Sequence, residues 1–491
     1  MKKVEGVAIN SFILMIVKLL TMGVGIVTTK VISMEFSLLE YGTYSQALLV
    51  SMMCTSLTIL GMSDAINYFF NNKELIEKRQ EYVSTIFTLQ LVIGLAGAII
   101  IFFGKDMLAN YFSNYELKFS IKYIALSPLL SNFISMLQVL YISNGDVKVI
   151  AIRNIFLSIV KLGAVVFACF VTKSINTVLV IMLCVDICQC AFFFVGFEKR
   201  TFNIRIKYAK KKYVKQILLY SIPMGAYILL NTFMREVDKL IIGSLANTSD
   251  LAIYTNASKL LPFDLLTASF ATVLIPYITN AITGKNHKLS QKIYSLYLNF
   301  SLITTLILTT GAIIVSKELM TCLYDEKYLK GVPIFVIYIL VDLIRFANVT
   351  LILSAAGRTK LLMKISIIAL IANIIFSYIS FKIIGMFGPA VVTFIIILVT
   401  NLVIMIFSSK NLGINIFRLF DLKKIVFLCV QIIVMSLFCW NIKNILIYKE
   451  TNEFIVFGIT YGIYIVVLGL LNATKIIGYM KEMNSLLTPL K

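Results

Sequence analysis

Charged side chains stand inside stretches of this chain that are otherwise apolar. The basic ones are Lys18, Lys161, Arg235, Lys239, Lys259 and Arg345; the acidic ones are Asp64, Asp186, Glu236, Asp238, Asp264 and Asp342. In hydrocarbon each ionised group costs several kcal/mol unless it is paired or faces water, so these positions are where function is to be sought. Arg235 with Asp238, and Glu236 with Lys239, stand three residues apart and can pair along one helix; Asp342 and Arg345 repeat that spacing. Lys18 and Lys161 have no acid within reach on their own segments. They point to a hydrated cavity of positive charge, suited to a phosphate or carboxylate. Asp64 and Asp186 also lack a helical neighbour of opposite sign, and with Asp264 they are the candidates for proton or sodium coupling.

Other chemistries find little support. The single histidine, His287, lies in a polar loop, which rules out a histidine relay within the apolar stretches. The run Cys184-Val-Asp-Ile-Cys188-Gln-Cys190 fits no common zinc spacing, and cysteines in apolar segments behave as small hydrophobes, so no metal is expected. No G-x-x-x-x-G-K-[ST] phosphate loop occurs, and no cofactor is expected. Glu35 and Glu40 resemble a catalytic pair, but the repeat described below gives Glu40 the role of a helix cap. The reading is of a protein that is not an enzyme.

The elements that must position these charges are membrane spans. The 491 residues are 59% hydrophobic and 14% charged, with a mean hydropathy of +0.92. Apolar segments long enough to cross a bilayer recur along the chain, and about fourteen are legible with a 19-residue window. Two of them cover 250–280 and 331–356. Helices are expected, because lipid satisfies no backbone polar group. The first segment reads as an anchor rather than a leader: its apolar run is long, Lys18 interrupts it, and no small-residue cleavage site follows. The net charge of +21 reflects Lys and Arg concentrated in alternate loops. That bias places both termini in the cytoplasm of a multi-pass protein and argues against nucleic acid as a partner.

The chain is internally duplicated. Leu39-Glu-Tyr-Gly-Thr-Tyr-Ser-Gln-Ala-Leu-Leu49 aligns with Ser249-Asp-Leu-Ala-Ile-Tyr-Thr-Asn-Ala-Ser-Lys-Leu-Leu261 so that Glu40 and Tyr44 meet Asp250 and Tyr254. Gly145-x-x-Lys148 aligns with Gly357-x-x-Lys360, and the polar loops 71–82 and 281–292 match in position. The expected architecture is two six-helix bundles, a parallel repeat around a central cavity, with two extra C-terminal helices. The expected boundaries are 1–197 for the first bundle, 198–215 for a basic linker, 216–410 for the second bundle and 411–491 for the added helices and tail. The linker, Glu198 to Lys215, reads as an anchor on anionic lipid headgroups. Pro223, Pro262, Pro276 and Pro389, with Gly225, Gly385 and Gly388, mark expected bends.

Several pieces resemble the bacterial O-antigen and capsule repeat-unit flippases, in the polysaccharide transporter family of the multidrug/oligosaccharidyl-lipid/polysaccharide exporter superfamily. They are the polar first helix with Asn10 and Lys18, then Tyr41-Gly42-x-Tyr44-Ser45, Asp238-Lys239-Leu-Ile-Ile-Gly243, Tyr254-x-x-Ala257, and Gly357-Arg358-Thr359-Lys360. The resemblance implies a bacterial inner-membrane protein that moves a polyprenyl-diphosphate-linked oligosaccharide from the inner to the outer leaflet by alternating access. It implies that Lys18, Lys161, Arg235, Lys239, Lys259 and Arg345 receive the anionic headgroup. It also implies membrane lipids, a polysaccharide polymerase and chain-length machinery as partners. Energy would come from an ion gradient or the membrane potential, worth about 2.3 kcal/mol per charge per 100 mV. The family's cationic cavity is not matched by the sum of charges here, where basic and acidic residues balance.

Three other readings compete. A multidrug or cation antiporter would use the carboxylates instead of the lysines. A flippase for lipid-linked peptidoglycan precursors would share the span count. A membrane-embedded glycosyltransferase or polymerase would need a larger outer loop than 104–122, which carries no arginine.

Overall fold

The structure, a computed structural model, describes residues 2–487 and contains no strand among them. It opens with α1 (Lys2–Glu35), α2 (Leu38–Ile59), α3 (Met62–Asn71), α4 (Arg79–Phe103) and α5 (Lys105–Tyr111). There follow α6 (Leu117–Ile124), α7 (Ser127–Ser143), α8 (Val147–Phe167) and α9 (Ile175–Arg200). The same order of long, divided and short helices then recurs. It comprises α10 (Lys211–Leu245), α11 (Thr248–Ala257), α12 (Leu265–Thr283), α13 (His287–Ile314) and α14 (Ser316–Leu323). It continues with α15 (Val332–Ile344), α16 (Leu351–Ala355), α17 (Thr359–Ile384) and α18 (Phe387–Asn411). The additions α19 (Leu422–Tyr448) and α20 (Glu453–Leu487) close the chain.

Among the described residues, twelve helical stretches are long and apolar enough to cross a membrane, against about fourteen expected. The two expected spans outside this set, 250–280 and 331–356, are the two whose helices are interrupted, between α11 and α12 and between α15 and α16. Their counterparts in the first repeat are interrupted at the same places, between α2 and α3 and between α6 and α7, but by shorter breaks.

The duplication reaches the caps and turns. Ser37 and Glu40 form a reciprocal capping box at the start of α2: the Glu40 carboxylate accepts from Ser37 N at 3.0 Å and Ser37 Oγ accepts from Glu40 N. At the start of α11, Asn247 Oδ1 accepts from Asp250 N at 2.7 Å, and Asn247 Nδ2 donates to Asp250 at 2.9 Å. Glu40 is therefore a cap, as its repeat partner implied. Gly145 and Gly357 both adopt positive φ, 89° and 69°. Both close the same turn, with Gly145 N and Asp146 N bonded to Ile142 O and Tyr141 O, and Gly357 N and Arg358 N bonded to Ser354 O and Leu353 O.

By contact the chain divides into two compact units, Met1–Ile253 and Tyr254–Lys491. Helix α10, which the repeat counts with the second half, lies within the first. The core of the first unit joins Ile66 and Phe69 of α3, Ile86 of α4, Leu137 and Tyr141 of α7, and Phe193 of α9. The core of the second joins Tyr294 and Tyr297 of α13, Ile352 of α16, Leu428 of α19 and Tyr464 of α20. The added helices are fixed to that core by contacts that suit lipid, where close packing and polar bonds replace the hydrophobic effect. Thr310 and Tyr464 hydroxyls are 2.8 Å apart. Lys443 pairs with Glu318 at 2.8 Å, both nearly buried, and donates to Ile314 O at 2.9 Å.

Candidate functional site

An interrupted helix in a membrane exposes backbone donors and acceptors that lipid cannot satisfy, so protein must meet them. In the second unit side chains do so at both breaks. At the break after α11, Leu261 N donates to the Asp342 carboxylate, brought from α15, at 2.8 Å. At the break after α15, Asn401 of α18 donates to Ile344 O at 3.0 Å, Tyr294 donates to Val349 O at 3.0 Å, and Tyr297 Oη accepts from Asn348 N at 2.8 Å. The two discontinuous helices are thereby held to one another. Lys259 sits in the first break with its ammonium 5.6 Å from the centre of the Tyr324 ring. Burial pushes the Tyr324 phenol above its usual range. Arg345 opens the second break. Lys259, Asp342 and Arg345, separate in sequence, thus frame adjoining breaks. Discontinuous helices of this kind are where transporters place their substrate and ion sites.

The first unit solves its break differently. Leu60 and Gly61 between α2 and α3 take φ of 42° and 70°. Helix α10 crosses there backbone to backbone: a Cβ on Gly61 would lie 2.4 Å from Ser221 O, and one on Gly225 would lie 2.6 Å from Leu60 Cα. Pro223 lies between those contact points and donates no hydrogen bond. Asp64, half-buried, stands in the first turn of α3, where a carboxylate is favoured by the free N–H groups of a helix start. Tyr68, one turn along, stacks on Tyr220 of α10 with ring centres 4.6 Å apart. Asp64 is accordingly placed at the crossing.

The remaining charges fall as follows. Lys161 and Asp186, each without a partner along its own helix, pair with one another across α8 and α9 at 2.5 Å. The sequence expectation of an unpaired Lys161 is corrected: its partner is 25 residues away in sequence, and only the register of two adjacent helices reveals it. Lys239 pairs with Glu236 at 2.7 Å, as the spacing predicted, and both are largely buried. Arg235 is exposed on α10, and Lys18 is exposed on α1. The side chains of Asp264 and Asn10 lie outside the described ones. Among the described residues no group of His, Cys, Asp and Glu is disposed to hold a metal ion, and the cysteines are free thiols.

Residues that sequence reasoning passed over include Arg153, Asn401, Tyr294 and Tyr297. Arg153 was legible as an arginine two turns before Lys161 on the same helix; the others carry no signal until the breaks are seen.

The protein-family model described as polysaccharide biosynthesis protein matches residues 14–333. The teichuronic acid biosynthesis protein TuaB of Bacillus subtilis (strain 168) is 19% identical over 274 residues, 54% of this chain and 55% of TuaB, so the match spans about half of that relative. Among solved structures, the lipid II flippase MurJ in an inward closed conformation superposes with a TM-score of 0.68 at 16% identity, over 94% of this chain and 99% of that one. An inward-facing multidrug transporter of the MATE family, in the MOP superfamily, gives 0.62 at 13% identity, over 81% and 94%. A MOP-superfamily transporter from Pyrococcus furiosus gives 0.59 at 14% identity, over 83% and 95%. At such identities these structures speak for the fold alone. The all-helical, multi-pass fold is shared with these structures, and the chain belongs to the polysaccharide biosynthesis protein family.

Proposed function

We propose that this protein is a flippase that carries a polyprenyl-diphosphate-linked oligosaccharide repeat unit from the inner to the outer leaflet of a bacterial cell membrane, for O-antigen, capsule or a related surface polymer. The observation that carries the reading is membership of a polysaccharide-biosynthesis family on a fold shared along nearly its full length with a lipid II flippase. Both termini are cytoplasmic in this proposal, by the distribution of Lys and Arg. Transport proceeds by alternating access between the two halves of the repeat, 1–197 and 216–410, with 198–215 as the linker and 411–491 as the added pair.

Lys259 and Arg345, at the interrupted helices of the second unit, are the residues proposed to receive the diphosphate, with Lys18 and Arg235 as exposed cations along its route. Lys161 and Lys239, each engaged by an acid, have a mainly structural part. Asp64 is the proposed coupling carboxylate, since it is half-buried and borders the crossing of α10. Outward movement of an anion is favoured by the membrane potential, at about 2.3 kcal/mol per charge per 100 mV. A polymerase and chain-length machinery would take the product.

The test is deletion of the gene. Accumulation of polyprenyl-linked repeat units inside, loss of surface polymer and restoration of both by the gene are expected. Normal surface polymer with increased sensitivity to cationic dyes would overturn the reading in favour of a multidrug or cation antiporter.

A further inference from the structure

The first unit contains a buried guanidinium with nothing to hold. Arg153, on the first turns of α8, is only 7% exposed. Its Nε and Nη1 make no hydrogen bond. The guanidinium lies over the Phe193 ring of α9, with Cζ 3.3 Å from the ring centre. That contact engages the π face of the ring and leaves Nε and Nη1 without an acceptor, which an oxyanion would supply. The acids nearby are committed elsewhere. Asp186 stands two turns from Phe193 on α9 and pairs with Lys161. Asp146, at the N-terminal end of α8, pairs with Arg200. Tyr141, whose ring also packs on Phe193, spends its hydroxyl proton on Phe193 O at 3.2 Å.

A buried charge that no carboxylate contacts directly is destabilising, and Asp186, the acid whose field reaches Arg153, is paired with Lys161. We propose that Arg153 is a binding residue for an oxyanion of phosphate chemistry, near the end of α8 and α9 that carries the Gly145 turn and the Asp146–Arg200 pair. Two sources share that chemistry, a soluble or substrate diphosphate and the phosphate of an anionic phospholipid. The site is separate from the interrupted helices of the second unit. It rests on the proposed function only in the choice of diphosphate as a probe.

The test uses the full chain in dodecyl maltoside micelles, which carry no phosphate, with Tm as the readout. Inorganic diphosphate is titrated in one arm, and phosphatidylglycerol is mixed into the micelles in the other. In dodecyl maltoside alone, Arg153→Met is expected to melt at or above the wild type, because it removes an unpaired charge. Either probe is expected to raise the wild-type Tm by about 1–3 °C and leave Arg153→Met unmoved. A response to diphosphate alone assigns the site to a headgroup; a response to phosphatidylglycerol alone assigns it to a membrane lipid. Arg153→Lys keeps the charge without the fork, and serves if the methionine variant folds poorly; its response is expected to need about tenfold more probe. Equal responses from wild type and variants, or no response of the wild type to either probe, would overturn the proposal. Lipid-linked sugars in the deletion strain report on the flippase reading independently of this result.

Discussion

Replacing Gly225 with alanine inserts one methyl group where α10 crosses the break between α2 and α3. The added Cβ would lie 2.6 Å from both Cα and the carbonyl carbon of Leu60 and 3.0 Å from Gly61 N. These are backbone atoms, so no rotamer can yield; the helices must separate. Overpacking of this kind costs about 1–3 kcal/mol. Gly61→Ala meets Ser221 O at 2.4 Å and also forces a side chain onto a φ of +70°. The left-handed backbone adds roughly 1–2 kcal/mol, for about 2–5 kcal/mol in total. The two variants act on one contact, so the double variant is expected to lose less than the sum: once the helices have parted, the second methyl group finds room. Gly469→Ala in α20 is the control, since its Cβ would meet nothing within 4 Å. It is expected to be neutral or slightly stabilising. The assay is SDS titration of the purified protein in mixed micelles, followed by circular dichroism. The reasoning fails if Gly225→Ala lies within about 0.5 kcal/mol of wild type, the range of an uninvolved surface change, or if Gly469→Ala is as harmful.

Four further outcomes are expected. Asp342→Ala leaves the part-buried Leu261 N–H without its carboxylate and should destabilise by about 1–3 kcal/mol, while Asp342→Asn, which keeps an acceptor, should lose less; unfolding titrations compare them. Glu318→Ala strands Lys443 and should destabilise by about 3–5 kcal/mol, whereas Glu318→Leu with Lys443→Met should approach wild type in the same titration. Lys161→Met alone should be less stable than Lys161→Met with Asp186→Leu, because the single change leaves an uncompensated carboxylate; equal stabilities would show that the pair does not hold α8 to α9. If Asp64 couples transport to an ion, Asp64→Asn should abolish restoration of surface polymer in a deletion strain at normal protein levels; full restoration would remove it from the mechanism.

The class of the protein and its repetition are legible in local sequence. Hydropathy finds spans because a bilayer imposes one length and one polarity on every helix that crosses it, and those demands are local. The Glu40 and Asp250 caps and the Gly145 and Gly357 turns were legible for the same reason: each is closed by residues within a few positions. The i,i+3 pairing of Glu236 with Lys239 was readable from helix geometry.

What depends on the register between helices emerges from the packed structure. It gave Lys161 and Asp186 to each other, divided two apolar segments that hydropathy reads as continuous, and supplied Asp342, Asn401, Tyr294 and Tyr297 to the backbone freed at those breaks. It left Arg153 over the Phe193 ring with Nε and Nη1 unbonded. The backbone groups freed at a break in a membrane must be met by protein, in the second unit by side chains from other helices, and such a partner's distance along the chain carries no trace in the local sequence.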